Sequence, residues 1–206
     1  RGFSFREEGP LDLRLNPQAG VPASERLKEM DAEEIEGMLF ENSDEPLAKE
    51  LARAIMSAKR KKQPIETTSQ LREIVEQVVG DEVEIIGAHA VLRTKPENPK
   101  EAVKKTCQRV FQALRIDVNS EFEVLDSFLE ALPHILKPGG KAAILTFHSG
   151  EDRMVKKSFQ YYAREGIYSD IAKDVIRPSA KECASNPRAR STKFRWAVRS
   201  DVQKYE

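Results

Sequence analysis

The stretch from Leu136 to Phe147, L-K-P-G-G-K-A-A-I-L-T-F, restricts the fold more than any other part of the chain. Pro138 cannot continue a helix, because its ring removes an N–H and clashes with the preceding turn. The two glycines tolerate the positive φ that turns the backbone away. Ala142 to Leu145 is an apolar run of strand length, and Lys141 to Phe147 reads as a buried strand. A helix that stops on such a corner and feeds a strand predicts an α/β arrangement for the C-terminal half. The same letters serve many helix-to-strand corners, so they point to an architecture and not yet to a chemistry.

Upstream the pattern is helical. Residues 1 to 22 carry Gly2, Gly9, Pro10, Pro17, Gly20 and Pro22 and read as a structured loop. Helices are predicted over about Ser24 to Phe40, Glu45 to Lys62 and Thr67 to Val79. Leu47, Leu51 and Ile55 repeat at helical spacing, and Thr67 and Gln70 stand in capping-box register. Gly80 to Lys100 reads as a short strand or loop, with His89 structural or exposed. A long helix from Pro99 to Val118 packs through Phe111, Leu114 and Val118. Ser120 and Glu123 start another that ends near Leu136. Lys141 to Phe147 is expected to be a buried strand, Glu151 to Arg164 a helix, and Asp174 to Arg177 and Thr192 to Arg199 the last strands.

With 206 residues, 39% of them hydrophobic, the chain can form one medium core or a core plus a satellite. No window approaches the roughly 20 apolar residues of a membrane span. Cys107 and Cys183 have neither disulfide-framework nor zinc spacing and read as small core residues of an intracellular protein, in cytoplasm or organelle matrix. The chain starts at Arg1 without a leader, so a signal peptide is expected to be absent or already removed. The formal charge is zero but unevenly spread. Glu25 to Glu50 holds ten acidic and three basic residues. Asn186 to Arg199 holds five basic residues (Arg188, Arg190, Lys193, Arg195, Arg199) and no acidic one, a sign suited to phosphate.

Five segments in order sharpen the reading: R-G-F-S-F from Arg1, G-P-L-D-L-R-L-N-P from Gly9, F-Q-A-L-R-I-D-V-N-S-E from Phe111, F-H-S-G-E-D-R from Phe147 and N-P-R-A-R-S from Asn186. Their order and spelling resemble the small-subunit ribosomal RNA cytosine-N4 methyltransferases, the MraW/RsmH family. The resemblance implies methyl transfer from S-adenosylmethionine to a cytosine N4, with ribosomal RNA or the small ribosomal subunit as partner and no metal. Catalysis would rest on orientation and electrostatics, because the N4 lone pair is delocalised into the ring. The implied fold is α/β, an incomplete Rossmann-like class I methyltransferase fold with an inserted helical subdomain. Residues 1–22 would be a loop following a missing strand 4, residues 23–100 the insert, and residues 101–206 the C-terminal part of the Rossmann-like domain.

Three departures stand out. Lys105-Thr106-Cys107-Gln108 replaces a His-Pro-Ala-Thr run, and Gly150 replaces a leucine. The family's glycine-rich cofactor loop, ribose-binding acid and strand-4 motif do not occur, and the chain has no G-x-G. No cofactor-binding or catalytic residue is therefore assigned. In the family's order strand 5 lies between strands 4 and 7, so here it would be an exposed apolar edge. The expectation is a fragment, a truncated product, or a chain whose edge is covered by a missing N-terminal half or a second copy.

Candidate RNA-binding residues follow. Gln108, Gln112, Arg115 and Asn119 share one polar stripe of the long helix, where amides and a guanidinium suit base edges or phosphate. His148, Ser149, Asp152 and Arg153 follow a strand's carboxyl end, where open α/β sheets bind ligands; Ser149 as a helix cap is the structural alternative. Phe3 and Phe5 could stack a flipped base or pack in the core, and Asp12 and Arg14 could pair or touch substrate. Arg188 and Arg190 could face phosphate. Two other functions fit the chain: a non-catalytic RNA-binding paralogue, or a helical module that binds a protein through its acidic surface.

Overall fold

The computed structural model describes residues 7–80, the strands Val83–Ile86 and His89–Leu92 without their side chains, and residues 98–201. The R-G-F-S-F segment, with Phe3 and Phe5, lies outside them, and of His89 only the backbone is described. The chain divides into two compact units, Arg1–Ser120 and Glu121–Glu206.

The first unit is helical. α1 (Ala23–Glu29) and α2 (Ala32–Ser43) replace the single helix predicted from Ser24 to Phe40. Asp31 interrupts it, because its carboxylate accepts the Glu34 N–H while the Glu34 side chain accepts the Asp31 N–H, a reciprocal cap that starts a new helix. α3 (Ala48–Arg60) buries Leu51, Ala52, Ile55 and Ala58, and α4 (Thr68–Gly80) buries Leu71, Val75 and Val78. The expected Thr67–Gln70 cap is present. β1 (Val83–Ile86) and β2 (His89–Leu92) pair antiparallel.

α5 (Pro99–Asn119) packs on α2 and α4, and its Cys107, Val110, Phe111, Ala113 and Leu114 join the helical core. It belongs to this first unit by packing. Cys107 is a core residue, and burial pushes its thiol up to about 11. Arg109 pairs at 2.6 Å with Glu45, a carboxylate buried among the helices. The opening loop is part of the core: Leu11 and Leu13 are each 1% exposed, and the loop bonds to the segment before α4 through Leu11 N–H to Glu66 O and Thr68 N–H to Gly9 O.

The second unit layers α6 (Glu121–Ile135) and α7 (Ser149–Arg164) with a three-stranded sheet of order β3-β5-β4, antiparallel at both pairings. β3 is Lys141–Thr146, β4 is Tyr168–Ile171 and β5 is Lys193–Arg199. Leu129, Leu132, Ala142, Val155, Phe159, Tyr168 and Ala197 form its core. Three expectations change. Ser120 does not cap α6; it ends α5 in the left-handed region (φ 47°), whereas an N-cap needs extended backbone. β3 is an edge strand of this sheet, with Leu145 57% exposed, rather than a buried one. The strand expected at Asp174 to Arg177 is reduced to an isolated bridge between Ile176 and Phe194, and the third strand of the sheet is β4, which the sequence reading does not place. A short helix, α8 (Ala180–Ser185), and a 3-10 turn at Pro187–Ser191 lead into β5, and Cys183 on α8 is half-exposed rather than core. Among the described residues no helix is long and apolar enough to cross a membrane.

Candidate functional site

The predicted site residues fall into two sets. On α5 the stripe is anchored to its own unit. The Asn119 amide oxygen accepts the Leu15 N–H at 2.8 Å, and its amide group donates to the carbonyls of Leu13 (2.9 Å) and Arg115 (2.8 Å). These bonds hold the loop around Leu13, whose φ of 63° is costly for a branched side chain. Gln112 is half-buried and donates to Asn42 O at 3.5 Å, Arg115 is half-buried, and Gln108 is exposed. Asp12 and Arg14 pair with each other at 2.6 Å, and the guanidinium holds the Asp12 carboxyl below the usual range.

The second set surrounds the start of α7. Ser149 is exposed and is not the cap. His148 is the N-cap residue, and its Nδ1 accepts the Glu151 N–H at 3.4 Å. In return Glu151 accepts the Phe147 N–H at 3.0 Å, and its other oxygen lies 3.4 Å from His148 Nε2. Burial pushes the Glu151 carboxyl up, but the His148 ring and the Phe147 N–H together outweigh it and hold the group below its ordinary value. Glu121, His148 and Glu151 each bring a ligand atom within 4.8 Å of the others. With Nδ1 accepting the Glu151 N–H, His148 serves as the cap of α7, and its Nε2 faces the Glu151 carboxylate.

Asp152 reaches β5, where Arg195, 7% exposed, grips it with two bonds of 2.8 and 3.1 Å. Breaking such a buried pair leaves an uncompensated charge at a cost of about 3–5 kcal/mol. Arg199 is likewise engaged, donating to Pro133 O, Ile167 O and the Ser200 hydroxyl. The five basic residues from Asn186 to Arg199 therefore do not form one patch: Arg195 and Arg199 hold the unit together. Arg188 and Arg190 are exposed on the 3-10 turn, and Arg153 is exposed on the first turns of α7.

Sequence reasoning missed Glu151 and Arg195. His148 and Glu151 stand at N-cap and N3 spacing, a legible signal once histidine is admitted as a cap. Arg195 has no local signal, since its partner lies 43 residues away.

Comparison with known proteins matches residues 1–200 to the model of the MraW methylase family. The chain is 58% identical to "Ribosomal RNA small subunit methyltransferase H 1" of Lachnoclostridium phytofermentans, over 97% of this chain and 51% of that protein. It is 60% identical to the protein of the same name from Agathobacter rectalis (98% and 54%). It is 38% identical to "Ribosomal RNA small subunit methyltransferase H" of Elusimicrobium minutum (96% and 60%). The chain thus spans about half the length of the first two relatives.

Proposed function

Because the chain belongs to the MraW methylase family, we propose that it supplies the RNA-binding part of a methyltransferase that modifies a cytosine N4 in small-subunit ribosomal RNA with S-adenosylmethionine as methyl donor. The names of its relatives support the ribosomal RNA target. The pairing of β3 with β5 supports assigning them to strands 5 and 7 of a Rossmann-like sheet, with residues 23–100 as its helical insert.

The paired glycines Gly139 and Gly140 do not fit a nucleotide cradle. Gly139 (φ 72°) and Gly140 form the corner before β3, where a Cβ on Gly140 would lie 2.7 Å from the Lys137 carbonyl oxygen. A cradle instead follows a strand and opens a helix. The residues of this chain therefore take the roles of holding and orienting RNA.

The observation that carries this reading is the exposure of Arg188 and Arg190 on a turn whose neighbouring arginines are consumed by internal bonds. These two contact phosphate, with Ser149 and Arg153 as a second contact. His148 and Asp152 position the start of α7, and Gln112, Arg115 and Asn119 contact RNA or hold the loop that does. Fluorescence anisotropy with a single-stranded ribosomal RNA fragment across a salt series tests it. R188A/R190A is expected to lower the logarithmic salt slope by about 1.5 without changing the melting temperature. An unchanged slope would return both arginines to plain surface.

A further inference from the structure

Ile176 and Phe194 exchange both backbone bonds at 3.0 Å in an antiparallel bridge. In that geometry the residue after one stands opposite the residue before the other, so Arg177 lies beside Lys193. The Arg177 guanidinium reaches the carbonyl of Thr192 at 3.5 Å. On its other flank Lys193 is in register with Thr146 of β3. The register places Thr146 and Lys193 on the face that carries Ala142, Arg195 and Ala197, against which α7 packs.

Like charges opposed across strands are unfavourable unless something neutralises them. The carboxylates nearest Lys193, Asp152 and Glu151, are committed, one to Arg195 and the other to the cap of α7. Burial lowers the pKa of the Lys193 ammonium, and Arg177 adds to that against the pull of Asp152 and Glu151. Thr146 is 4% exposed and its hydroxyl has no hydrogen-bond partner. A site with two cations and an unused hydroxyl lacks an acceptor-rich anion.

We propose that Arg177 and Lys193, backed by the Thr146 hydroxyl, form a phosphate-binding site at the end of the three-stranded sheet. Its ligand is a phosphodiester of RNA, because the 3-10 turn bearing Arg188 and Arg190 ends two residues before Lys193 and continues the cationic track along the chain. That choice of ligand rests on the RNA-binding reading above; the phosphate chemistry does not.

Two measurements on the full chain decide it. In the first, inorganic phosphate is titrated at constant ionic strength against chloride and followed by amide NMR. Saturable shifts are expected around Thr146, Arg177 and Lys193, lost in R177Q/K193M and kept in the charge-conserving R177K/K193R. In the second, R177Q/K193M is expected to lower the logarithmic salt slope of RNA binding by about 1.5. If R188A/R190A lowers the slope and R177Q/K193M leaves both the slope and the phosphate shifts unchanged, the site is refuted while the RNA reading stands. If the chain shows no salt-dependent RNA binding but the phosphate shifts depend on Arg177 and Lys193, the site stands with free phosphate as ligand and the RNA reading falls.

Discussion

At position 150 the packing accommodates a hydrogen and little more. A Cβ there would lie 2.7 Å from the tip of the Phe122 ring and 3.2 Å from His148 Nδ1. The rings of Phe122 and His148 lie tilted against each other with their centroids 5.8 Å apart, so displacing one presses on the cap formed by the other. Two effects oppose each other in G150A. Helix propensity favours alanine by up to about 1 kcal/mol, while overpacking costs about 1–3 kcal/mol. The second wins, and G150A is expected to lower stability by about 1 kcal/mol in denaturant unfolding. In an F122L background the tighter obstacle is gone and only the His148 ring, at 3.2 Å, remains, so the same substitution is expected to cost less than in the unaltered chain. Additive effects in this double-mutant cycle would show that Phe122 is not what excludes a side chain at 150.

Among the elements, β3 lies at the border of its sheet. It pairs with β5 along its whole length but forms the border of the three-stranded sheet, and Leu145 and Phe147 are more than half exposed. α3 is the opposite case, with Leu51, Ala52 and Ile55 each at most 1% exposed inside a helical core. Amides of edge strands open with less of the unit than amides inside a packed helix. Amide exchange from Ala142 to Thr146 is therefore expected to be faster than from Leu51 to Ala58. If β3 proves the best protected segment of the monomer, something covers its border and the exposure of Leu145 does not describe the molecule in solution. Capping explains where four of the helices, α2, α5, α7 and α8, begin. Asp31, Asn98, His148 and Ser179 each accept a backbone N–H three residues on, and at Asp31 this splits a continuous helical pattern in two.

For the molecule as a whole, the two units differ in what they expose to chemistry. The first uses its polar groups inward, in the Glu45–Arg109 pair and in the Asn119 bonds to the opening loop. The second leaves Arg188, Arg190 and Arg177 outward. Since the Gly139-Gly140 pair serves the corner before β3, isothermal calorimetry of this chain with S-adenosylmethionine is expected to give no saturable heat at micromolar concentrations. Binding at a defined site would mean that residues other than this pair form the cradle. Sequence alone determined the helical first part, the corner at Pro138-Gly139-Gly140 and the family, because periodicity, turn chemistry and short motifs are local and each is written within a few residues. Tertiary structure decided which charged residues remained for a ligand. Arg188 and Arg195 look alike in the sequence, and only the register of β5 against β3 and its approach to α7 bury one against Asp152 and leave the other exposed, since pairing over 43 residues depends on packing that no local pattern encodes.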